Sequence, residues 1–273
     1  METNTRTVTV PAPGAELHVR VRGSGPVLLI LQSGDGIAEA ADPLVDQLTH
    51  TYTVVTYDRR GLSRSTIRGR TDGHDLTTHS EDAHRVLAAV TSEPAYVLGL
   101  SIGGLIALDL LARHPDQVRT LVTHEPLAIA LLSGTELDEA VAELTDVIDT
   151  HRASGVPAAA PKLKRMGGGT PPSSGALPPA IRPSVQRLVN LDFFMGNDMP
   201  AVLEHRPDIT ALKAETARLV VAIGADSGAV TAQRCARALA EQLDLTPIVF
   251  PGGHSGFLTH PRDFAACLNP LLL

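Results

Sequence analysis

The feature that most constrains the fold is an alternation along the chain of short, β-branched or apolar runs with longer amphipathic runs. Short apolar runs bounded by turns are typical of strands, and strands that alternate with helical segments usually build a parallel sheet covered on both faces. The pattern therefore predicts an α/β fold with a mostly parallel, eight-stranded sheet. The expected strands are residues 5–10, 16–22, 27–31, 52–57, 95–100, 118–123, 218–223 and 246–250.

Helical periodicity predicts the segments between these strands. The expected helices cover residues 43–48, 79–90, 102–113, 229–242 and 261–268. In the second of them, Thr78 and Glu81 have the spacing of a capping box. The first two strands alternate polar and apolar residues and are joined by the short turn "PAPGA", so we expect an antiparallel hairpin at the sheet edge.

One long region, residues 126–215, departs from this rhythm. It has no strand signal, only helical pieces such as residues 136–152 and the glycine- and proline-rich stretch "MGGGTPPSSGALPPAIRP". Such a stretch precludes regular structure over residues 166–183, and a loop this long is usually a functional lid or disordered. We predict a core domain of residues 1–125 and 216–273, with a helical cap inserted at 126–215.

Composition narrows the class of function. The chain has 273 residues, is 43% hydrophobic and carries a formal net charge of −7. An acidic chain without basic clusters is a poor partner for nucleic acid, and no stretch approaches the roughly 20 apolar residues that span a bilayer. We expect a cytoplasmic protein that acts on a small molecule, away from membranes; a homodimer is left open. The two cysteines, Cys235 and Cys267, have no metal-binding spacing and are expected to be buried thiols.

The stretch "YVLGLSIGGLIALDLL" places one serine between an apparent buried strand and a helix. Gly99, Ser101 and Gly103 form the pattern G-x-S-x-G, which at a strand-to-helix junction forces a sharp turn and lifts the serine hydroxyl above the sheet edge. The helix that follows favours negative charge near its first turn. We interpret Ser101 as a nucleophile; a tight turn with a capping serine is the alternative.

A serine needs a base, and the base needs a carboxylate to hold its tautomer. His254 lies in "VFPGGHSGF" directly after the last strand, at the right end of the sheet; a surface histidine is the alternative, with His124 and His260 as other candidates for the base. Asp226 follows the seventh strand and is the preferred acid, although it could instead cap the next helix. Glu125 follows the sixth strand and is the alternative acid.

With these residues the chain resembles the α/β-hydrolase fold superfamily, from about residue 8 to residue 268. "VLGLSIGG" is similar to its nucleophile elbow, "TYDRRGLSRS" to its D-x-R-G-x-S-x-S turn and "PGGHSGF" to its histidine loop. The resemblance implies Ser101 as nucleophile and His254 as base. The family's acid usually stands three residues beyond a strand-end glycine, which is Ser227 here. Asp226 is one place early, so Glu125 stays open.

The loop after the third strand also departs from the family, whose H-G-x-x-G reads "QSGDG" at residues 32–36. Because backbone amides do not need a histidine side chain beside them, we expect Gly34 and Ile102 to form the oxyanion hole. Gln32 and Asp35 either orient substrate or are ordinary polar loop residues.

The sequence also predicts the surroundings of the turn after the fourth strand and of two phenylalanines in the predicted cap. Arg59, Arg60 and Ser63, in the turn after the fourth strand, should bind backbone carbonyls and carboxylates without a catalytic role. Phe193 and Phe194 belong either to the core of the cap or to the wall of an apolar acyl pocket.

The function predicted from the sequence is a serine hydrolase that cleaves a small, fairly apolar ester, lactone or thioester through an acyl-enzyme. No metal or organic cofactor is expected. Two alternatives remain: cofactor-free C–C bond hydrolysis, lyase chemistry or perhydrolysis with His254 as base, and a ligand-binding protein with little turnover, since fold alone does not fix function.

Overall fold

The computed structural model describes residues 5–34, 36–68, 75–167, 182 and 184–272. Within them nine strands form one sheet, and the predicted α/β class is confirmed. The strands are β1 (Arg6–Ala12), β2 (Ala15–Gly23), β3 (Val27–Leu31), β4 (Thr53–Tyr57), β5 (Thr66–Ile67), β6 (Ala95–Leu100), β7 (Val118–His124), β8 (Leu219–Gly224) and β9 (Ile248–Phe250). The strand missing from the sequence prediction is β5, because two residues are too short to show a period.

The sheet is antiparallel at one edge and parallel elsewhere. β1 and β2 form the expected hairpin, and β2 also pairs antiparallel with β4 and β5. The path β1-β2-β4-β3-β6-β7-β8-β9 is parallel from β4 onward.

A change of direction in this order locates the functional edge. From β3 the chain moves to β4 on one side, whereas β6 lies on the other side of β3. Connections that leave two neighbouring strands in opposite directions open a crevice at the carboxyl ends of those strands. Gln32 follows β3 and Ser101 follows β6, so both lie at this switch point.

The helices of the described residues cover both faces of the sheet. They are α1 (Asp42–Leu48), α2 (Leu76–Val90), α3 (Ile102–Arg113), α4 (Gly134–Met166), α5 (Val185–Phe193), α6 (Met199–Glu204), α7 (Ile209–Ala214), α8 (Thr231–Gln242), α9 (Gly256–Thr259) and α10 (Pro261–Leu272). One predicted boundary was wrong. The N-cap of α2 is Asp75, which accepts a 2.7 Å hydrogen bond from the amide of Thr78, so the capping box at Thr78 and Glu81 does not form.

Between β7 and β8 the regular elements of the described residues are all helices, joined by short turns and loops, and we call residues 126–215 the insertion. α4 consists of two stretches that meet at Gly155, whose φ of 73° and ψ of −178° suit glycine almost alone. The expected helix over 136–152 lies in the first stretch. α5 runs into a π-helix (Phe194–Asp198). The prediction of irregular structure over 166–183 falls mostly outside the described residues; Met166 itself ends α4.

Two apolar cores lie on opposite faces of the sheet. The smaller packs α1 and α10 against the strands and contains Phe250, Phe257 and Phe264. The larger joins α2, α3 and α8 to the insertion in one continuous cluster. Both cysteines are free thiols; Cys235 is buried as expected, whereas Cys267 is partly exposed. No helix in the described part of the chain is long and apolar enough to cross a bilayer.

Candidate active site

Ser101 occupies the turn between β6 and α3 in a strained conformation. Its φ of 57° and ψ of −120° are rarely adopted by a residue with a side chain. A side chain at Gly103 would collide with the backbone carbonyl of Leu31, which explains the second glycine of the motif. The turn therefore has the geometry of a nucleophile elbow.

Two backbone amides are available beside this serine. Ile102 is the first residue of α3, and Gly34 follows β3, whose end is in register with Gly99 of β6. Within the described part of the chain, neither amide has a hydrogen-bond acceptor. Both N–H groups can therefore bind an oxygen atom that arrives with a substrate.

The structure pairs His254 with Glu125. Glu125 follows β7, is fully buried and has a positive φ of 46°. Its Oε2 lies 2.7 Å from Nδ1 of His254, and its Oε1 accepts a 2.8 Å hydrogen bond from the amide of Gly224. The residue before it, His124, accepts a 3.0 Å bond from the amide of Ser101, so serine and carboxylate are joined through the backbone.

Asp226, the preferred acid in the sequence analysis, does not take this place. It is exposed in the turn after β8, and its amide donates to the carbonyl of Gly252 at 2.9 Å. The next residue, Ser227, is the one that turns inward beside Gly224. The order in the chain is therefore serine, glutamate, histidine, with the carboxylate on the strand next to that of the serine.

The charges around this pair favour an ionised carboxylate. Burial acts to raise the pKa of Glu125, but the hydrogen bond and charge of His254 outweigh burial and lower the pKa to about 2.

Burial lowers the pKa of His124 to about 4, and its ring packs against Phe250 and Phe264. His124 is thus a neutral core residue at pH 7. His260, the other candidate for the base, is exposed and contacts Thr259.

Within the described residues, no hydrogen bond joins the side chains of Ser101 and His254. Nδ1 of His254 is committed to Glu125, which leaves Nε2 for another partner. Such bonds often form only when substrate is bound. The insertion reaches the same place, since a Cβ added to Gly167 would lie 3.5 Å from Cδ2 of His254.

The two phenylalanines of the insertion have different surroundings. Phe194 is buried against the loop after β3, where a Cβ on Gly34 would lie 2.8 Å from its ring. Phe193 is half-buried and contacts Gly61.

Of the polar residues in the loop after β3, Gln32 is buried and its side chain donates to the carbonyl of Ala38 at 3.2 Å, which stabilises the loop. Asp35 lies outside the described residues.

In the turn after β4, Arg59 and Arg60 bind backbone carbonyls and carboxylates as predicted, whereas Ser63 bonds an amide side chain. Arg60 forms a buried ion pair with Asp82, with 2.6 Å between Nε and Oδ2, and Ser63 exchanges hydrogen bonds with Asn190 of α5. The guanidinium of Arg59 donates to the carbonyls of residues 32–34. No group of three or more metal-ligating side chains occurs within the ranges that the structure describes.

One buried network was not predicted from the sequence. Nη2 of Arg59 lies 2.8 Å from Oδ2 of Asp198 in the π-helix, and Oδ1 of Asp198 lies 3.1 Å from Nε2 of His79 on α2. All three side chains are at most 2% exposed. Asp198 is 139 residues from Arg59 in the chain, and no local pattern marks such a pair.

Comparisons with known proteins identify the family of this chain. A sequence model of the alpha/beta hydrolase fold matches residues 26–159. The uncharacterized hydrolase YraK of Bacillus subtilis (strain 168) is 37% identical over 268 residues, which is 97% of this chain and 95% of YraK. The chain belongs to the α/β-hydrolase family. It is accordingly a hydrolase of this fold.

Solved structures of α/β-hydrolases show the same fold over nearly the whole chain. A hydrolase from Pseudomonas aeruginosa PA01 superposes with a TM-score of 0.74 at 22% identity, covering 100% of this chain and 99% of its own. The esterase EaEST from Exiguobacterium antarcticum gives a TM-score of 0.73 at 19% identity, covering 98% and 99%. The carboxylesterase CesB of Bacillus subtilis gives 0.70 at 19% identity, covering 99% and 92%.

Proposed function

We propose that this α/β-hydrolase is a serine hydrolase that cleaves a carboxylic ester, lactone or thioester of a small, fairly apolar substrate through an acyl-enzyme. The observation that carries the proposal is the 2.7 Å contact between Oε2 of Glu125 and Nδ1 of His254, next to a strained serine turn. A buried carboxylate on one ring nitrogen fixes the tautomer in which the other nitrogen is a base.

The proposed chemistry follows from this arrangement. Oγ of Ser101 attacks the carbonyl carbon while Nε2 of His254 takes its proton, and Glu125 stabilises the imidazolium. The amides of Gly34 and Ile102 hold the oxyanion. His254 then gives the proton to the leaving alcohol, thiol or lactone oxygen, and the acyl group stays on Ser101. Water, deprotonated by His254, then attacks the acyl-enzyme. The bond to Oγ of Ser101 breaks as His254 returns this proton to Oγ, and the acid is released.

The expected substrate class rests on the surroundings of the loop after β3. Phe194 places an apolar ring beside the proposed oxyanion site, and Phe193 lies next to it in the chain. Apolar walls with a few polar groups are typical of small-molecule pockets. The similarity in fold to EaEST and CesB, an esterase and a carboxylesterase, supports ester cleavage among the possible reactions.

Labelling with a fluorophosphonate tests the proposal, because this reagent reacts with a serine activated by a base. The full chain should be modified once, on the peptide that contains Ser101, and should lose its hydrolysis of p-nitrophenyl butyrate in step with labelling. The Ser101→Ala variant should show neither reaction. Modification of another residue would contradict the mechanism. Full turnover by Ser101→Ala would instead support chemistry that uses His254 as the base without an acyl-enzyme.

A further inference from the structure

Two residues of the π-helix connect the insertion to the loop after β3, one by direct contact and one through Arg59. Phe194, its first residue, packs on Gly34. Asp198, its last, binds the guanidinium of Arg59, which in turn donates to the carbonyls of that loop. π-helical turns are rare and are often found at functional sites. A single turn of the insertion therefore contacts the loop both directly and through an arginine.

Arg59 orients the peptide groups of this loop together with a turn bond of 2.9 Å from the amide of Gly36 to the carbonyl of Ser33. Nη1 lies 3.1 Å from the carbonyl oxygen of Gln32 and 2.6 Å from that of Ser33, and Nη2 lies 3.1 Å from that of Gly34. The carbonyl of Ser33 and the amide of Gly34 belong to one planar, trans peptide group, so they point in opposite directions. By drawing in the carbonyl of Ser33, Arg59 turns the Gly34 amide away from itself.

Asp198 and His79 keep the guanidinium in place. Burial acts to raise the pKa of Asp198, but the positive charge of Arg59 and the contact with His79 hold the pKa below its usual value. A buried carboxylate bonded on both oxygens is fixed in orientation, and removing it would leave the charge of Arg59 buried without a negative charge beside it. His79 belongs to α2 in the core, so the carboxylate is held between the insertion and the core.

We propose that Asp198 is a positioning residue for the oxyanion hole: through Arg59 it orients the Gly34 amide, and His79 orients Asp198. This inference rests on the proposed function, in which Gly34 binds the oxyanion. The hole is then complete only while the π-helix is seated on the loop. The insertion contributes to the chemical step as well as to substrate selection.

The Asp198→Asn variant of the full chain tests this inference. An asparagine of the same shape keeps the packing but binds the guanidinium of Arg59 less strongly, because it has no charge. The N–H of Gly34 should then be less well oriented towards the oxyanion. With p-nitrophenyl butyrate we expect kcat to fall about 10- to 100-fold, less than the loss of a whole oxyanion donor, and KM to change less than about 3-fold.

A second readout separates positioning from general damage. An alkyl trifluoromethyl ketone forms a tetrahedral adduct on an activated serine and places an oxyanion in the hole. Its affinity should fall by the same factor as kcat/KM in Asp198→Asn. The matched control is Asp192→Asn, in the same insertion, where the carboxylate is exposed and bonds His151. It should leave both quantities unchanged.

Further variants cover the case in which Asp198→Asn does not fold. His79→Leu keeps the ion pair of Arg59 with Asp198 and should lower kcat about 3- to 10-fold, since only one carboxylate oxygen loses its partner. The double variant Arg59→Met with Asp198→Leu replaces a buried ion pair by apolar groups, which proteins often tolerate, and should lose kcat as Asp198→Asn does.

The inference would be overturned if folded variants kept their kcat, or lost kcat without losing affinity for the ketone. These outcomes leave fluorophosphonate labelling of the unchanged protein at Ser101 intact. Failure of the proposed function is different, because the unchanged protein itself would then not be labelled at Ser101.

Discussion

Glu125 makes two hydrogen bonds with different roles. One is the bond to histidine that a catalytic carboxylate needs, and the other is a bond to the backbone that stabilises the fold. One oxygen holds the histidine and the other holds the amide of Gly224 at the end of β8. A residue in this double role cannot be recognised from the stretch "LVTHEP", because the partner amide lies 99 residues away. Asp226 follows a strand at the same edge of the sheet, but its side chain is exposed.

The two carboxylates can be separated by amide substitutions. In Glu125→Gln the side chain presents an N–H₂ group to Nδ1 of His254, which favours the wrong tautomer, so we expect kcat for p-nitrophenyl butyrate to fall about 10³- to 10⁴-fold. Asp226→Asn, at an exposed position, should change kcat less than about 2-fold. Steady-state kinetics at pH 8 measures both; a larger loss in Asp226→Asn than in Glu125→Gln would contradict the assignment.

At the scale of elements, β7 ends in a histidine that is buried among aromatic rings of β9 and α10. Both ring nitrogens of His124 lack a hydrogen-bond partner among the described residues. Because the pKa of His124 is about 4 in the folded chain and about 6.5 for a solvated histidine, the unfolded chain binds more protons between these values. Unfolding should therefore become easier as the pH falls through this window.

The His124→Leu variant removes the part of the pH dependence of stability that comes from this histidine. The free energy of unfolding of the unchanged protein should fall by up to about 1.4 kcal/mol per pH unit between pH 6.5 and 4 through His124, and the variant should show a correspondingly smaller slope. Urea denaturation across this range measures it. Above pH 7 the imidazole is neutral in both states, so the two curves should run parallel there. Equal slopes below pH 6 would show that His124 does not titrate on unfolding.

The elements that sequence analysis predicted well are those with a long or strongly patterned signal. The buried strand before Ser101 and the helix after it are consecutive apolar runs, and the glycines of the elbow mark the turn between them. The start of α2 was misplaced by three residues, because Thr78 has the spacing of a cap and Asp75 supplies the real one. The π-helix left no signal, since it continues the period of α5 into a wider turn.

At the scale of the whole molecule, the insertion and the sheet share one apolar core. The insertion contributes many buried side chains to the larger cluster, including Ala140, Leu144, Val147, Ile148, Met166, Phe194, Met195, Met199, Val202 and Leu212. A unit that completes its core against the sheet is not expected to unfold separately.

A single unfolding transition is therefore expected for the whole chain. The three tyrosines, Tyr52, Tyr57 and Tyr96, all lie in or next to the sheet and report its unfolding, whereas far-UV circular dichroism also reports the helices of the insertion. The two signals should give coincident midpoints in urea. Loss of helical signal at a lower urea concentration than loss of the tyrosine signal would show that the insertion unfolds first.

The ion pair of Arg59 with Asp198 also bears on how such enzymes can be recombined. Consider a chain in which the insertion is replaced by that of a relative. Unless the new insertion has an acidic residue at the position of Asp198, the guanidinium of Arg59 would be buried without a negative charge beside it. Exchange of this segment should succeed only when arginine and aspartate are moved, or replaced, together. Lineages that diversify their substrates through this segment are thus expected to change both positions at once.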